Sequence, residues 1–192
     1  MIRTRTTILL LLLLAVVPFV VQQAFAEELK YKRTIENYSM PDVTLVNQNG
    51  TKVKFKSLLD SRKPVVVDFI FGTCTTICPI LSVGFANLQQ KLGQDAQNVQ
   101  LVSISIDPEN DTPKIMKQYL KRYAAKPGWD FLTGSRADID RVMYAFNAYI
   151  PNKMSHYPLT LIRTPSDGKW IRIFGLLSSS EFLDETRKAG IK

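Results

Sequence analysis

The sequence predicts an α/β fold with a mixed central sheet, and three patterns carry this prediction. Residues 64–71 and 99–106 are apolar runs of the kind found in strands that are buried on both faces. A helical pattern separates them, which predicts a right-handed βαβ unit with parallel strands. Near the C-terminus, two strand patterns joined by a tight turn add an antiparallel pair. The sheet is therefore expected to be mixed and flanked by helices.

The N-terminal elements follow from short local patterns. Alternating residues flank Asn49 and Gly50, a dipeptide typical of two-residue turns, so residues 43–55 predict an N-terminal β-hairpin. After the first buried strand and the segment 72–79, apolar residues near 3.6-residue spacing predict a helix to about residue 92.

The remaining elements are each marked by an apolar run or by a capping residue. Asp111 and Thr112 precede Pro113 and are expected to cap a helix whose first residue is that proline. The predicted order is strand 99–106, the helix from residue 113, a short edge strand 130–134, a helix opened by Ser135, an antiparallel pair 158–162 and 169–174, and a last helix opened by the capping box of Ser178 and Glu181.

This order of elements indicates a thioredoxin-like fold, in the peroxiredoxin-like variant with an N-terminal β-hairpin. A flavodoxin-like doubly wound sheet is the alternative. It requires a glycine-rich phosphate loop after the first long strand, and the chain has two cysteines at that position instead.

The first 26 residues resemble an export signal. Two arginines precede an apolar run over residues 8–21, and Ala24 and Ala26 fit a cleavage site. The run is shorter than the ~20 residues that span a bilayer, so cleavage is favoured over a membrane anchor. In either case the rest of the chain is expected in the periplasm or another extracytoplasmic space.

Three regions are predicted: residues 1–26 as signal peptide or membrane anchor, 27–38 as a polar tether or edge segment, and 39–192 as one domain. The whole chain has 25 basic and 17 acidic residues, a net charge of +8. The basic residues are spread along the chain, which argues against a nucleic-acid binder. A monomer is expected.

Cys74 and Cys78 are the two cysteines of the chain, and their position favours chemistry over stabilisation. A disulfide that closes so small a loop stabilises little. Both residues lie where a central strand is expected to end and a helix to begin, so backbone N–H groups favour the thiolates. Residues four apart on a helix have Cβ atoms about 5–6 Å apart. That separation suits a disulfide or a soft ion such as Cu(I) or Zn(II).

His156 is the single histidine, and it precedes the predicted strand that begins near Leu159. In a thioredoxin-like fold this loop faces the helix start that carries the cysteines. An imidazole there is a third ligand, which lets the site hold Cu(II) as well. Met154 is either an extra soft ligand or a packing residue. Pro158 stands near the place where such folds carry a cis proline.

Two aspartates each have two open interpretations. Asp107 ends the second long strand at the same sheet edge as the cysteines, where it either supports the metal site or serves as a turn residue before Pro108. Asp68 lies inside the first apolar strand, where it either supports the site or is satisfied by backbone N–H groups.

The combination of these motifs resembles the Sco/SenC proteins of copper-oxidase assembly. The resemblance covers about residues 41–183 and implies a thioredoxin-like fold, copper bound by Cys74, Cys78 and His156, and a role in maturing the copper site of cytochrome c oxidase or a related copper enzyme. Such proteins are often membrane-anchored. Two features depart from the pattern: Thr75-Thr76 stand where many members have Pro-Asp, and the N-terminal segment looks more cleavable. The segments that carry the resemblance are 69–79, 102–113, His156 and 165–168.

Three rival functions remain. A thiol-disulfide reductase would use the same two cysteines, and the metal carrier is preferred because a reductase has no need of His156. A peroxiredoxin is disfavoured, since Phe71 occupies the place of the threonine expected three residues before its reactive cysteine. A binding module with an inert disulfide is disfavoured because a bond at a helix start is exposed and reducible.

Overall fold

The computed structural model describes residues 31–191. The signal-peptide prediction and residues 27–30 of the predicted tether lie outside that range. Two short 3-10 helices, Gly93–Asn98 and Lys153–Ser155, lie between the main elements. The main elements are β1 (Lys32–Glu36), β2 (Thr44–Asn47), β3 (Lys52–Lys54), α1 (Phe55–Leu59), β4 (Val65–Ile70), α2 (Ile77–Leu92), β5 (Gln100–Ser105), α3 (Pro113–Arg122), β6 (Trp129–Thr133), α4 (Arg136–Ala145), β7 (Leu159–Arg163), β8 (Trp170–Phe174) and α5 (Ser179–Lys188).

The strands form one eight-stranded sheet in the order β1-β8-β7-β4-β5-β6-β2-β3. Strands β4, β5 and β6 are parallel, and the other neighbours are antiparallel. The predicted mixed sheet is therefore confirmed. Strand β4 lies between β5 and β7 with all six of its residues buried, as its valine-rich sequence predicts.

The N-terminal hairpin corrects one prediction about the sheet edge. Gly50 has a φ of +77°, and the Asn47 side-chain oxygen accepts from two backbone N–H groups of the turn. Strand β2 also pairs with β6. The predicted edge strand 130–134 is therefore an interior strand, because the hairpin covers it. The edge next to β8 is instead formed by residues 32–36, part of the segment predicted as tether or edge segment.

Helix starts are mostly where the capping residues predicted them. The Ser135 side chain accepts from Asp138, and Ser178 forms its capping box. At α3 the prediction was wrong for Asp111: the Thr112 side chain caps the helix, and Asp111 is buried elsewhere. The expectation of a cis proline was also wrong, because the bond before Pro158 is trans.

Aromatic side chains pack on both faces of the sheet, since successive residues of a strand point to opposite sides. On one face Phe146 contacts the rings of Phe55, Phe69 and Trp170. On the other, Phe85 of α2 packs between Trp129 and Phe182. Within residues 31–191, no helix has the length and apolar character that crossing a bilayer requires. The two packed faces fix the C-terminal ends of β4 and β5 and the start of β7, which together carry the candidate site.

Candidate metal centre

The two cysteines lie on either side of the start of α2. After β4 ends, a short loop carries Cys74, whose backbone N–H donates to the Phe71 carbonyl at 3.2 Å. Cys78 is the second residue of α2, and Pro79 follows in the first turn, where the missing N–H has no intrahelical partner to lose. Both cysteines are free thiols, and they differ in access: Cys74 is 9% exposed and Cys78 is 0% exposed.

His156 reaches the cysteines from the loop before β7, the strand that pairs with β4. It follows the 3-10 helix Lys153–Ser155, whose start is capped by the Asn152 side chain, and it precedes β7. The Nδ1 atom of the imidazole lies 2.8 Å from the Lys153 carbonyl oxygen, which can only accept, so Nδ1 carries the proton. The other ring nitrogen, Nε2, is then an acceptor. It lies 3.2 Å from the Cys78 sulfur and 4.0 Å from the Cys74 sulfur.

The three side chains form one cluster. Their ligand atoms all lie within 4.8 Å of one another, although His156 is about 80 residues away in sequence. Bonds from a cysteine sulfur or an imidazole nitrogen to a zinc ion are about 2.0–2.3 Å long. One metal ion of this size therefore fits between the three ligand atoms after the side chains move slightly inward. Two sulfurs and one imidazole nitrogen are donors that copper and zinc prefer.

The electrostatic environment separates the two cysteines. Burial raises the pKa of Cys74, but hydrogen bonds from the Cys78 thiol and from the backbone N–H groups of Thr76 and Cys78 outweigh it, so its pKa lies below the usual value. For Cys78, burial and the hydrogen bond to Cys74 both raise the pKa. Burial lowers the pKa of His156 and outweighs the hydrogen bond to the Lys153 carbonyl, so the neutral ring is favoured. Backbone hydrogen bonds at the helix start thus lower the pKa of Cys74 as expected, whereas at Cys78 burial and the neighbouring Cys74 outweigh them.

The loop before Cys74 is held through the backbone of Gly72. The Asp111 carboxylate accepts from the Gly72 N–H at 3.0 Å, and Arg122 donates to the Gly72 carbonyl at 3.2 Å. Asp111 also accepts from the Ser105 hydroxyl at 2.5 Å. Both acid and arginine come from the region of α3, so α3 fixes the loop that presents Cys74. This role of Asp111 has no local sequence signal, because an aspartate next to Thr112 resembles a capping residue.

The other predicted site residues lie outside the three-atom cluster. Asp107 is 4% exposed and binds the Lys153 ammonium, so it contacts the histidine-bearing segment and none of the three ligand atoms. Met154 is 72% exposed, so it is not a packing residue of the core. Asp68 is fully buried, and within the described chain neither of its carboxylate oxygens has a hydrogen-bond partner. Of the two interpretations of Asp68, satisfaction by backbone N–H groups is the one that the structure does not show.

Phe71 and Lys153 make contacts beside the site that no sequence pattern predicts. The Phe71 ring packs edge-on against the His156 ring with centroids 5.2 Å apart. The Lys153 ammonium lies 5.3 Å from the centroid of the same Phe71 ring. A lysine in a polar loop has no sequence pattern that distinguishes it from a solvated one, so only the folded chain reveals this contact.

Comparison with known sequences identifies one protein family. A sequence model of the SCO1/SenC family matches residues 32–182. The chain is 38% identical over 117 residues to the SCO1 protein homolog of Bacillus subtilis (strain 168), a match covering 59% of this chain and 60% of that protein. It is 29% identical over 119 residues to Protein SenC of Rhodobacter capsulatus, covering 62% and 52%. The matched part thus spans about three-fifths or less of the length of these two relatives.

Solved structures agree with the predicted fold. One is BsSco, a member of the Sco family of cytochrome c oxidase assembly proteins in which a disulfide switch was identified, at 31% identity and a TM-score of 0.65 over 80% of this chain and 94% of that one. Another is Bradyrhizobium japonicum ScoI with copper bound, at 28% identity and a TM-score of 0.63 over 79% and 99%. The thioredoxin-like fold predicted from the sequence is therefore confirmed.

Proposed function

Because this chain belongs to the SCO1/SenC family, we propose that it is a copper chaperone that binds copper through Cys74, Cys78 and His156. It delivers the ion to a copper enzyme such as cytochrome c oxidase, or reduces the cysteines that receive it there. The observation that carries this proposal is the convergence of two sulfurs and one imidazole nitrogen within 4.8 Å. The names of relatives add support, since they include a copper-bound protein and an assembly protein of this oxidase.

The three side chains divide the work of binding. Cys74 is the more exposed sulfur and has the lower pKa, so it supplies the first thiolate to an arriving ion. Cys78 is buried and protonated, and it loses its proton when it binds, so copper uptake releases a proton. Two thiolates are sufficient for Cu(I), which accepts two soft ligands. The neutral Nε2 of His156 adds the nitrogen donor that Cu(II) requires.

The second function, thiol-disulfide reduction, is favoured by the unequal cysteines. The Cys74 thiolate would attack a client disulfide, forming a mixed disulfide and releasing one client cysteine as a thiolate, which takes up the proton of Cys78. The Cys78 thiolate would then attack the Cys74 sulfur, leaving a Cys74–Cys78 disulfide and releasing the second client cysteine as a thiolate. The client disulfide is reduced and the cysteine pair is oxidised. Both functions use the same two sulfurs, and His156 is the residue that separates them.

The test is a comparison of His156→Ala with wild type and with Ser155→Ala. Ser155 is a matched control, since it is exposed, lies next to the histidine and is not a candidate ligand. The reduced protein is titrated with Cu(II) and with Cu(I), and thiolate-to-Cu(II) charge-transfer bands are recorded. We expect His156→Ala to lose Cu(II) binding and transfer to the metal-free copper domain of an oxidase subunit, while it keeps Cu(I) binding and client reduction. If His156→Ala binds and transfers Cu(II) like wild type, the chaperone proposal fails and the reductase remains.

The place of action is part of the same proposal. Export through residues 1–26 would put the domain in the periplasm, either free or held at the inner membrane. N-terminal sequencing of the protein from a membrane and a soluble periplasmic fraction tests this. A mature chain beginning at Glu27 in the soluble fraction supports cleavage, and an intact N-terminus in the membrane fraction supports the anchor. A protein found in the cytoplasm would contradict both.

A further inference from the structure

Lys153 contacts the candidate site through its main chain. Its carbonyl oxygen accepts two hydrogen bonds from His156, one from Nδ1 at 2.8 Å and one from the backbone N–H at 3.3 Å. The first bond fixes both the tautomer and the rotation of the imidazole ring, because a carbonyl accepts and cannot donate. The position of the Lys153 main chain therefore helps to set where Nε2 lies relative to the two sulfurs.

The side chain of Lys153 connects this segment to the end of β5. Its ammonium lies 2.5 Å from Oδ2 of Asp107. Asp107 is itself fixed, because it is buried and both carboxylate oxygens accept from the Asn110 side-chain amide at 3.0 and 3.1 Å. The lysine side chain is 34% exposed and its partner 5%, so the pair is partly shielded from water and screened less than a surface pair.

The ion pair ties the segment sideways to the end of β5, between an aromatic ring on its inner side and open space on its outer side. On the inner side the Phe71 ring contacts both the Lys153 ammonium and the His156 ring, with centroid distances of 5.3 and 5.2 Å. On the solvent side the segment borders a cavity of about 390 Å³, whose lining includes Asp107, Asn152 and Lys153. The segment therefore has room to swing outward if the ion pair is broken.

We propose that the Lys153–Asp107 ion pair is a latch that holds the histidine-bearing segment over the cysteine pair, which makes Lys153 a positioning residue for the third copper ligand. With the latch closed, two sulfurs and one nitrogen face a common point and the site holds Cu(II). With the latch open, the two sulfurs remain and the site holds only Cu(I). This inference rests on the proposed copper-binding function, and it assigns to Lys153 the control of which oxidation state is retained.

The test uses Lys153→Met, which keeps a long apolar stem but cannot form the ion pair. Loss of an outer hydrogen-bonding partner of a metal ligand typically weakens metal binding about 10–100-fold. We expect a loss of that size for Cu(II), together with altered charge-transfer bands, and unchanged affinity for Cu(I). In the metal-free protein, amide hydrogen exchange over residues 153–157 should become faster. Lys153→Arg, which restores the pair, should recover most of the Cu(II) affinity.

Two further variants separate the latch from general destabilisation. Lys188→Met is the matched control, because Lys188 pairs with the buried Glu185 at 2.7 Å on α5 and should leave all these readouts unchanged. The double variant Lys153→Met/Asp107→Asn leaves no unpaired carboxylate and should show the same selective loss of Cu(II). A Cu(I) affinity that falls as far as the Cu(II) affinity would overturn the latch, since the fold rather than the histidine segment would then be affected.

Failure of the latch and failure of the proposed function give different results. If His156→Ala loses Cu(II) while Lys153→Met binds it like wild type and shows unchanged hydrogen exchange, the latch is wrong and the chaperone proposal stands. If His156→Ala retains Cu(II), the proposed function is wrong. In that case hydrogen exchange in the metal-free protein still tests the latch. Faster exchange over residues 153–157 in Lys153→Met supports a restraint by the ion pair, and unchanged exchange contradicts it.

Discussion

Replacement of Asp68 by asparagine is expected to stabilise the protein at neutral and alkaline pH. Asp68 lies in the middle of β4, completely buried, and neither carboxylate oxygen has a hydrogen-bond partner in the described chain. Burial raises the pKa of Asp68 from 3.8 to about 7. The folded protein therefore keeps this carboxyl protonated over a pH range in which the unfolded chain has already released the proton.

The sign and size of the effect follow from this difference. Because the folded-state pKa is the higher one, the contribution of Asp68 to stability is fully present below pH 3.8 and is lost as the pH rises to about 7. Each pH unit in that window corresponds to about 1.4 kcal/mol, so the free energy of unfolding falls by up to about 4 kcal/mol. Asparagine has nearly the same shape and stays neutral, so Asp68→Asn avoids that loss.

The assay is urea unfolding of the reduced, metal-free protein at pH 5, 6, 7 and 8. The stability difference between Asp68→Asn and wild type should grow with pH and level off above pH 7. Asp42→Asn is the control, because Asp42 is exposed and its removal should give a small difference that does not change with pH. A constant difference for Asp68→Asn at all four pH values, or an asparagine variant less stable than wild type at pH 8, would refute the reasoning.

Two other predictions concern the loop that carries the cysteines. In Gly72→Ala the new Cβ would lie 2.7 Å from the Asp111 carboxylate, so we expect about 1–3 kcal/mol of destabilisation, measured by urea unfolding. Gly84→Ala is the control and should be neutral or stabilising, because its Cβ meets a side chain at 3.6 Å. Equal effects of the two substitutions on stability would contradict this view of the loop. In the reduced protein iodoacetamide should modify Cys74 before Cys78, because Cys74 is more exposed and has the lower pKa. Peptide mass spectrometry measures the order of modification, and preferential modification of Cys78 would overturn this prediction.

Most of the secondary structure could be predicted because its signals are local. The turn at Gly50, the proline that begins α3 and the capping serines of α4 and α5 each act within a few residues of their position. The wrong predictions concern residues whose local sequence fits two different structural roles. Asp111 beside Thr112 has the composition of a helix cap, yet the acid turns inward to the Gly72 backbone. The strand at residues 129–133 has no local feature that tells whether a hairpin covers it.

The sequence alone determined the candidate ligands and their order along the chain. Two cysteines after a buried strand and one histidine before another are recognisable without coordinates, because alternating strands and helices bring such strand ends to one edge of a sheet. The tertiary structure decided the environment of those residues. It determined which sulfur is buried, which imidazole nitrogen faces the two sulfurs, and which partners hold the segment around Lys153. Burial and hydrogen bonding depend on atoms contributed by distant parts of the chain, so tautomer, pKa and side-chain support are fixed only when β4, β5, α3 and the start of β7 have packed together.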